Sequence, residues 1–224
     1  MDIKDAVIIA GGKGSRLQQD MPKALVNVKG RPIISYQLDY LLGSGMVGNV
    51  ILALGYKADE VKKYVNSAYP PSPIYFSTEL EPLGTGGALK NALKKSLTNY
   101  VLALNCDDIT GIDLSRLTKL KENTICVAHP RLPFGRVIEK DGYAFFEEKP
   151  MLEDWVSCGW YFFNKVSLLR FLPDKGSLEY DVFPNINLRL YKHEVFWRTV
   201  NTDKELLGFE SVELPAALSK GQVI

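Results

Sequence analysis

An α/β fold built on a parallel sheet is predicted for this 224-residue chain by three observations. Short β-branched apolar runs alternate with helical patterns through the first half, glycines stand directly after the first run, and the second half changes to hairpin-like alternation. With 46% hydrophobic content, the chain can bury a substantial core as a single domain spanning residues 1–224. Strands are expected near Ala6–Ala10, Asn49–Leu54, Ile74–Ser77, Tyr100–Asn105 and Ile125–His129. Pro32 is placed to open a helix carrying Ile33, Ile34, Tyr36, Leu38, Leu41 and Leu42, which Gly43-Ser44-Gly45 ends. Lys57 to Val65 and Gly86 to Leu97 give two more helices, and Tyr69-Pro70-Pro71-Ser72-Pro73 is a rigid loop ahead of the third strand. In the second half Asp141-Gly142 is a hairpin turn joining Gly135–Glu139 to Tyr143–Glu147, and a further strand is expected at Trp160–Phe163.

Charge excludes several function classes. A net charge of +1, from 27 basic and 26 acidic residues, leaves no footprint for nucleic acid or an anionic membrane, so any anion site is local. Cys106, Cys126 and Cys158 are odd in number, lie in or beside apolar runs and lack Cys-x-x-Cys spacing, which reads as reduced core residues. Met1-Asp2-Ile3-Lys4-Asp5 is not a signal peptide and no apolar run approaches spanning length, so a cytoplasmic protein is expected. His129 and His193 are isolated and read as structural.

The chemistry starts after the first strand. Ala10-Gly11-Gly12-Lys13-Gly14-Ser15-Arg16-Leu17 lets the backbone bend sharply and turn N–H groups toward a phosphate, while Arg16 and Lys23, the latter in Met21-Pro22-Lys23-Ala24-Leu25, supply positive charge. The stretch reads as a triphosphate cradle; taken alone, a glycine turn after a strand is also a plain strand-to-helix connection. Neither Gly-x-Gly-x-x-Gly nor a Walker-type loop occurs. Leu102-Ala103-Leu104-Asn105-Cys106-Asp107-Asp108 puts two carboxylates at the carboxyl end of an apolar strand, the edge where open α/β sheets bind ligands. Such a pair suits Mg²⁺ completed by substrate phosphates, or equally a turn or helix cap.

Together, Gly-Gly-x-Gly-Ser-Arg-Leu and Pro-Lys-Ala-Leu resemble the signature of sugar-1-phosphate nucleotidyltransferases. The resemblance runs from Ala6 to about Leu206 with the motifs in the family's order. It implies a Rossmann-like nucleotidyltransferase fold with a mixed, mostly parallel sheet, residues 1–108 mainly holding nucleotide and 109–224 mainly sugar phosphate. It also implies in-line attack of the sugar-phosphate oxygen on the nucleotide α-phosphate, without a covalent intermediate. The implied catalytic residues are Arg16, Lys23 and Asp107, with Ala10, Gly11, Gly12, Gly14, Ser15, Glu79, Gly84 and Thr85 also on the nucleotide. Asn105-Cys106-Asp107 stands where the family has Asn-Gly-Asp, making Asp107 the first metal ligand and Asp108 its substitute should Cys106 shift the turn. Late in the chain, Thr199-Val200-Asn201-Thr202-Asp203 places threonine at the family's aspartate, and Asn201, as in acetylglucosamine-phosphate uridylyltransferases, becomes the second Mg²⁺ ligand; the alternative is that Asn201 and Thr202 cap a helix.

Glu79-Leu80-Glu81-Pro82-Leu83-Gly84-Thr85 resembles guanylyltransferases for mannose and heptose phosphates. A carboxylate only accepts hydrogen bonds, which suits the adjacent N1–H and N2–H of guanine. Phe134-Gly135-x-Val137 and Glu148-Lys149-Pro150 resemble sugar-phosphate elements, implying roles for Gly135, Glu148, Lys149 and Gly159, although Ser157 replaces the asparagine common in relatives. GTP and a mannose- or heptose-type 1-phosphate are therefore the expected substrates, with UTP or dTTP and a hexose 1-phosphate as the alternative. A catalytically silent nucleotide-sugar sensor and transfer to a non-sugar phosphate are the remaining readings; a homo-oligomer is left open.

Overall fold

The computed structural model describes residues 4–14, 20–194 and 196–219. Its centre is a seven-stranded sheet made from β1 (Lys4–Ile9), β4 (Val47–Leu54), β5 (Ile74–Thr78), β6 (Tyr100–Asn105), β8 (Thr124–Ala128), β11 (Val156–Asn164) and β12 (Arg189–Lys192). The spatial order is β12-β8-β11-β6-β1-β4-β5, with β11 antiparallel to both neighbours and the remaining pairs parallel. Along β1 successive side chains enter opposite faces. Ala6 and Ile8 join the core under α1 (Ile33–Gly43) and α2 (Ala58–Ala68), while Val7 joins that under α3 (Gly84–Leu93) and α5 (Lys165–Leu169). Both faces are covered, which is why these strands read as continuous apolar runs rather than alternating ones.

From β1 the chain crosses to β4 and β5 on one side, then returns to β6 on the other. The carboxyl ends of β1 and β6 therefore bracket the switch point, where the two connections leave a crevice for ligand. The glycine run leaves β1 there and Asp107 leaves β6.

Three boundaries differ from expectation for identifiable reasons. Pro32 does not open α1; it is extended (ψ 139°) and pairs in the short hairpin of β2 (Asn27–Val28) and β3 (Arg31–Pro32), so the helix begins at Ile33. The third helix stops at Leu93 because the buried Asp5 carboxylate accepts the N–H groups of Leu97 (2.6 Å) and Thr98 (3.2 Å) and the Ser96 hydroxyl (2.9 Å), pulling those residues out of helical geometry. The Trp160–Phe163 strand extends in both directions as β11. Asp141 and Gly142, at φ 53° and 81°, make the expected turn between β9 (Arg136–Lys140) and β10 (Tyr143–Glu147), which form a two-stranded sheet of their own. The sequence reading missed β12 and a small ladder of β7 (Asp108–Thr110) with β13 (Trp197–Thr199), both too short for periodicity to register.

The cysteines are free and buried, as expected. His193 is buried, facing the Thr110 hydroxyl at 2.6 Å; that hydroxyl donates to the Phe196 carbonyl (2.8 Å), so it accepts from the ring Nε2–H. His129 packs against the Trp155 ring, tilted by 39°. No helix among the described residues is long and apolar enough to cross a membrane.

Candidate active site

The cradle is tied at both ends. The Ala10 N–H donates to the Ala53 carbonyl (2.8 Å), the Gly11 carbonyl accepts from Tyr56 N–H (3.0 Å) and the Gly12 carbonyl accepts from Lys23 N–H (3.3 Å). The N–H groups of Gly11, Gly12 and Gly14 have no bonded partner among the described residues, and Gly14 takes φ 64°. Anchored carbonyls, with N–H groups that no described residue takes up, suit an anion-binding concavity. Ser15 and Arg16 lie outside the described residues.

Lys23 sits in a short 3₁₀ turn, Lys23–Leu25, behind the extended Pro22. Its ammonium forms an ion pair with Asp107 Oδ2 and donates to Asn201 Oδ1 at 2.7 Å. Positions 23, 107 and 201, far apart in the chain, thus converge on one point at the switch-point crevice. The Lys23 and Asp107 side chains are only 15% and 16% exposed, so their attraction is less screened than on an open surface.

The Asp107 turn is held from several elements. Gln37 Nε2 of α1 donates to the carbonyls of Cys106 (2.7 Å) and Asp108 (3.3 Å), Trp160 Nε1 donates to the Asp108 carbonyl (3.1 Å), and Val200 N–H donates to the Asp107 carbonyl (3.1 Å). Cys106 buries its side chain in the core, and Asp107 rather than Asp108 faces Lys23. Asp108 turns inward to accept from Trp197 Nε1 (2.9 Å) and Asn105 Nδ2 (3.4 Å); burial, then the Asp107 charge, push its pKa up. Sequence reasoning missed Gln37, Trp160 and Trp197, because nothing local marks a core amide or indole as a brace.

Asn201 and Thr202 divide the work that one sequence reading assigned to capping alone. Thr202 caps α6 (Asp203–Glu210) in a reciprocal box with Glu205. Asn201 is left facing Lys23, with its backbone N–H on Glu205 Oε2 (2.8 Å) and its amide Nδ2 donating to Thr199 Oγ1 (2.7 Å). The Thr199 hydroxyl thereby selects the rotamer that turns the amide oxygen toward Lys23.

Glu79 lies at the cradle's rim. A Cβ on Gly11 would sit 3.0 Å from its Oε1, and Oε2 accepts from Leu83 N–H (3.3 Å); burial raises its pKa, partly offset by that N–H. Gly84 (φ 75°) and Thr85 are braced by a segment the sequence did not flag. A side chain at Gly84 would strike the Gly176 carbonyl, and the Thr85 hydroxyl donates to Glu179 Oε2 (3.0 Å) while accepting from Leu178 N–H (2.8 Å).

Gly159, at φ 72°, lets β11 approach Asp108 so closely that a Cβ would collide with Oδ2. Gly135 leaves room for the Phe146 ring. Glu148 and Lys149 follow β10, with Nζ 3.3 Å from Glu148 Oε1. No hydrogen bond or ion pair among the described residues joins them to Lys23, Asp107 and Asn201. Gly159 thus packs beside the Asp107 turn, while Glu148 and Lys149 stand outside that bonded group, and Lys149 shares one cavity wall with Thr199.

The sequence model of the MobA-like NTP transferase domain matches residues 6–137, which include the cradle, Lys23, Glu79 and Asp107. The chain belongs to this nucleotidyltransferase family. A D-glycero-alpha-D-manno-heptose 1-phosphate guanylyltransferase of Aneurinibacillus thermoaerophilus is 32% identical to this transferase over 190 residues, covering 79% of the chain and 82% of the relative. The Campylobacter jejuni enzyme of the same name is 39% identical over 153 residues, 64% of the chain and 68% of the relative. Among solved structures, HddC from Yersinia pseudotuberculosis complexed with GMP-PN superposes with a TM-score of 0.78 at 27% identity, covering 93% of this transferase and 98% of that chain. The transferase is an enzyme of Rossmann-like α/β fold whose relatives are guanylyltransferases for heptose and mannose 1-phosphates.

Proposed function

We propose that this transferase joins GTP to a mannose- or heptose-type 1-phosphate, forming a nucleotide sugar and pyrophosphate. The observation that carries the reading is the meeting of Lys23, Asp107 and Asn201 beside the glycine cradle, whose N–H groups at Gly11, Gly12 and Gly14 have no partner among the described residues. A sugar-phosphate oxygen forms a bond to the α-phosphorus as the bond to the bridging β-oxygen breaks in line, and pyrophosphate leaves with the electron pair. Catalysis by this chain is positioning and charge neutralisation, with the cradle N–H groups on the triphosphate and Lys23 at the reacting phosphate. Lys149 is assigned to the sugar phosphate and Glu148 to sugar hydroxyls. Residues 1–108 serve mainly the nucleotide and 109–224 the sugar phosphate. Glu79 supports GTP, since a carboxylate at the cradle's rim accepts from guanine N1–H and N2–H.

Asp107 Oδ2 and Asn201 Oδ1 fit a hard divalent cation, because two oxygens already converge on one positive charge, the Lys23 ammonium. Mg²⁺ bound there would offset the charge gathering on the triphosphate. The three free thiols support a reducing, cytoplasmic setting.

The test is pyrophosphate release with Mg²⁺, scanning GTP, UTP, dTTP, CTP and ATP against sugar 1-phosphates. Release with GTP and a manno-configured sugar is expected, and Lys23→Met should lower it by orders of magnitude in a protein that still folds. Release confined to a pyrimidine triphosphate would discard the guanine assignment, and near-normal turnover of the variant would remove Lys23 from the mechanism.

A further inference from the structure

A cavity of about 430 Å³, a size that suits a small ligand, is lined by Lys149 and by Thr199, which bonds Asn201. Four cations line it: Arg131 from the loop after β8, Lys149, Arg198 of β13 and Lys204 of α6. Trp197 gives it an apolar wall, with the buried Phe209 behind. Arg131, Arg198 and Lys204 have no carboxylate partner among the described residues, and Lys149 has only the exposed Glu148. The acidic residue on the wall, Glu205, is already committed to the N–H groups of Asn201 (2.8 Å) and Thr202 (3.0 Å).

The two guanidinium groups have donors to spare, Arg198 lying over the Phe196 ring. Each spends one NH1 on a carbonyl at 3.0 Å, Arg131 on Lys149 and Arg198 on Trp197, which fixes the fork and leaves further N–H donors for a ligand. Arg198 is partly buried, and its pKa is lowered by that burial and then by the charge of Arg131. Two like charges brought together in a cleft without a counter-charge are costly in the empty protein, and a bound dianion reverses the sign of that interaction.

We propose that Arg131 and Arg198 form the seat of the phosphate of the sugar 1-phosphate, with the sugar body against Trp197. The proposal rests on the transferase reading above. It adds two residues of this chain that neither the motifs nor the cradle indicated. Thr199 follows Arg198 in β13, lines the same cavity and bonds Asn201, so a phosphate seated there lies beside the group that faces the nucleotide. The consequence for specificity is that the enzyme selects a phosphorylated sugar through a fixed pair of forks, and a neutral sugar gains little.

Calorimetric titration with mannose 1-phosphate, inorganic phosphate and mannose, on wild type, Arg131→Gln, Arg198→Gln and the double variant, tests this. Wild type should bind mannose 1-phosphate at least tenfold more tightly than mannose. Each single variant should weaken binding about tenfold and the double variant about a hundredfold, with KM for the sugar 1-phosphate rising in parallel and KM for GTP staying within twofold. Arg198→Lys should be intermediate. Unliganded variants should melt no lower than wild type, since the like-charge pair is gone, but should lose the rise in melting temperature that phosphate gives wild type. Unchanged phosphate binding in the double variant, or KM for GTP rising equally, would overturn the seat. Loss of phosphate binding in the double variant of a protein that releases no pyrophosphate from any triphosphate would keep the seat and overturn the transferase reading. Undiminished turnover in the double variant would do the reverse.

Discussion

Replacing Thr199 by valine keeps the side-chain shape and removes the acceptor that orients Asn201. In the native site the amide is held at both ends, Nδ2 on Thr199 Oγ1 and Oδ1 on Lys23 Nζ, each at 2.7 Å. With valine the amide has two choices. It can keep its oxygen on Lys23 and leave a part-buried N–H without a partner, or flip and set its NH₂ against the ammonium. Leaving a buried donor unsatisfied costs about 1–3 kcal/mol. Where that cost falls on the productive geometry, kcat/KM drops roughly 5- to 150-fold, at about 1.4 kcal/mol per factor of ten. Initial rates of pyrophosphate release with GTP and mannose 1-phosphate measure it, with a thermal melt confirming the fold. Thr199→Ser keeps the acceptor and should restore most of the rate. In an Asn201→Asp background the same valine should cost less, because a carboxylate offers Lys23 an oxygen in either orientation, and the double-mutant cycle reads the difference as coupling. A valine variant within twofold of wild type, or an equal loss in both backgrounds, would refute the orienting role.

Gly159→Ala places a Cβ inside the contact distance of Asp108 Oδ2 at φ 72°, so it should cost about 3 kcal/mol and lower Tm by roughly 6–12 °C; an unchanged melt would contradict the close approach. Glu79→Gln should shift triphosphate preference from GTP toward pyrimidines. Burial raises the Glu79 pKa above its usual 4.5, so kcat/KM for GTP should fall as acidification protonates the carboxylate, and the glutamine variant should lack that acid limb. For His193, burial lowers the pKa from 6.5 despite the Phe196 carbonyl, so below about pH 6.5 the unfolded chain takes up a proton that the folded one refuses. Stability should therefore decline as pH falls from there toward the lower folded-state pKa, and His193→Gln should flatten that part of a Tm–pH curve; an unaltered curve would show the imidazole is not the source.

What the sequence by itself determined is local. Both-faces-buried strands leave runs such as Ala6-Val7-Ile8-Ile9 and Val101-Leu102-Ala103-Leu104, and a two-residue turn such as Asp141-Gly142 carries its conformation in its residue types, so the alternating first half and the hairpin were readable. The glycine cradle, Lys23, Asp107 and Asn201 were picked out by their motifs and the resemblance those motifs carry, and the structure brings Lys23, Asp107 and Asn201 together. Only the tertiary structure decided which carboxylate faces outward, since Asp107 and Asp108 differ by one position and by which way the chain turns into β7. It also decided that Thr199, a departure when read as a missing aspartate, is the acceptor that orients Asn201, and that Arg131 and Arg198 share one cavity. Thr199 and Asn201 are two positions apart, but the placement of the whole group depends on long-range contacts, such as Gln37 to Cys106 at 69 positions and Lys23 to Asn201 at 178. Pairing of that kind leaves no periodicity in a single sequence, because the partner's position is set by how the sheet is wound rather than by neighbouring residues.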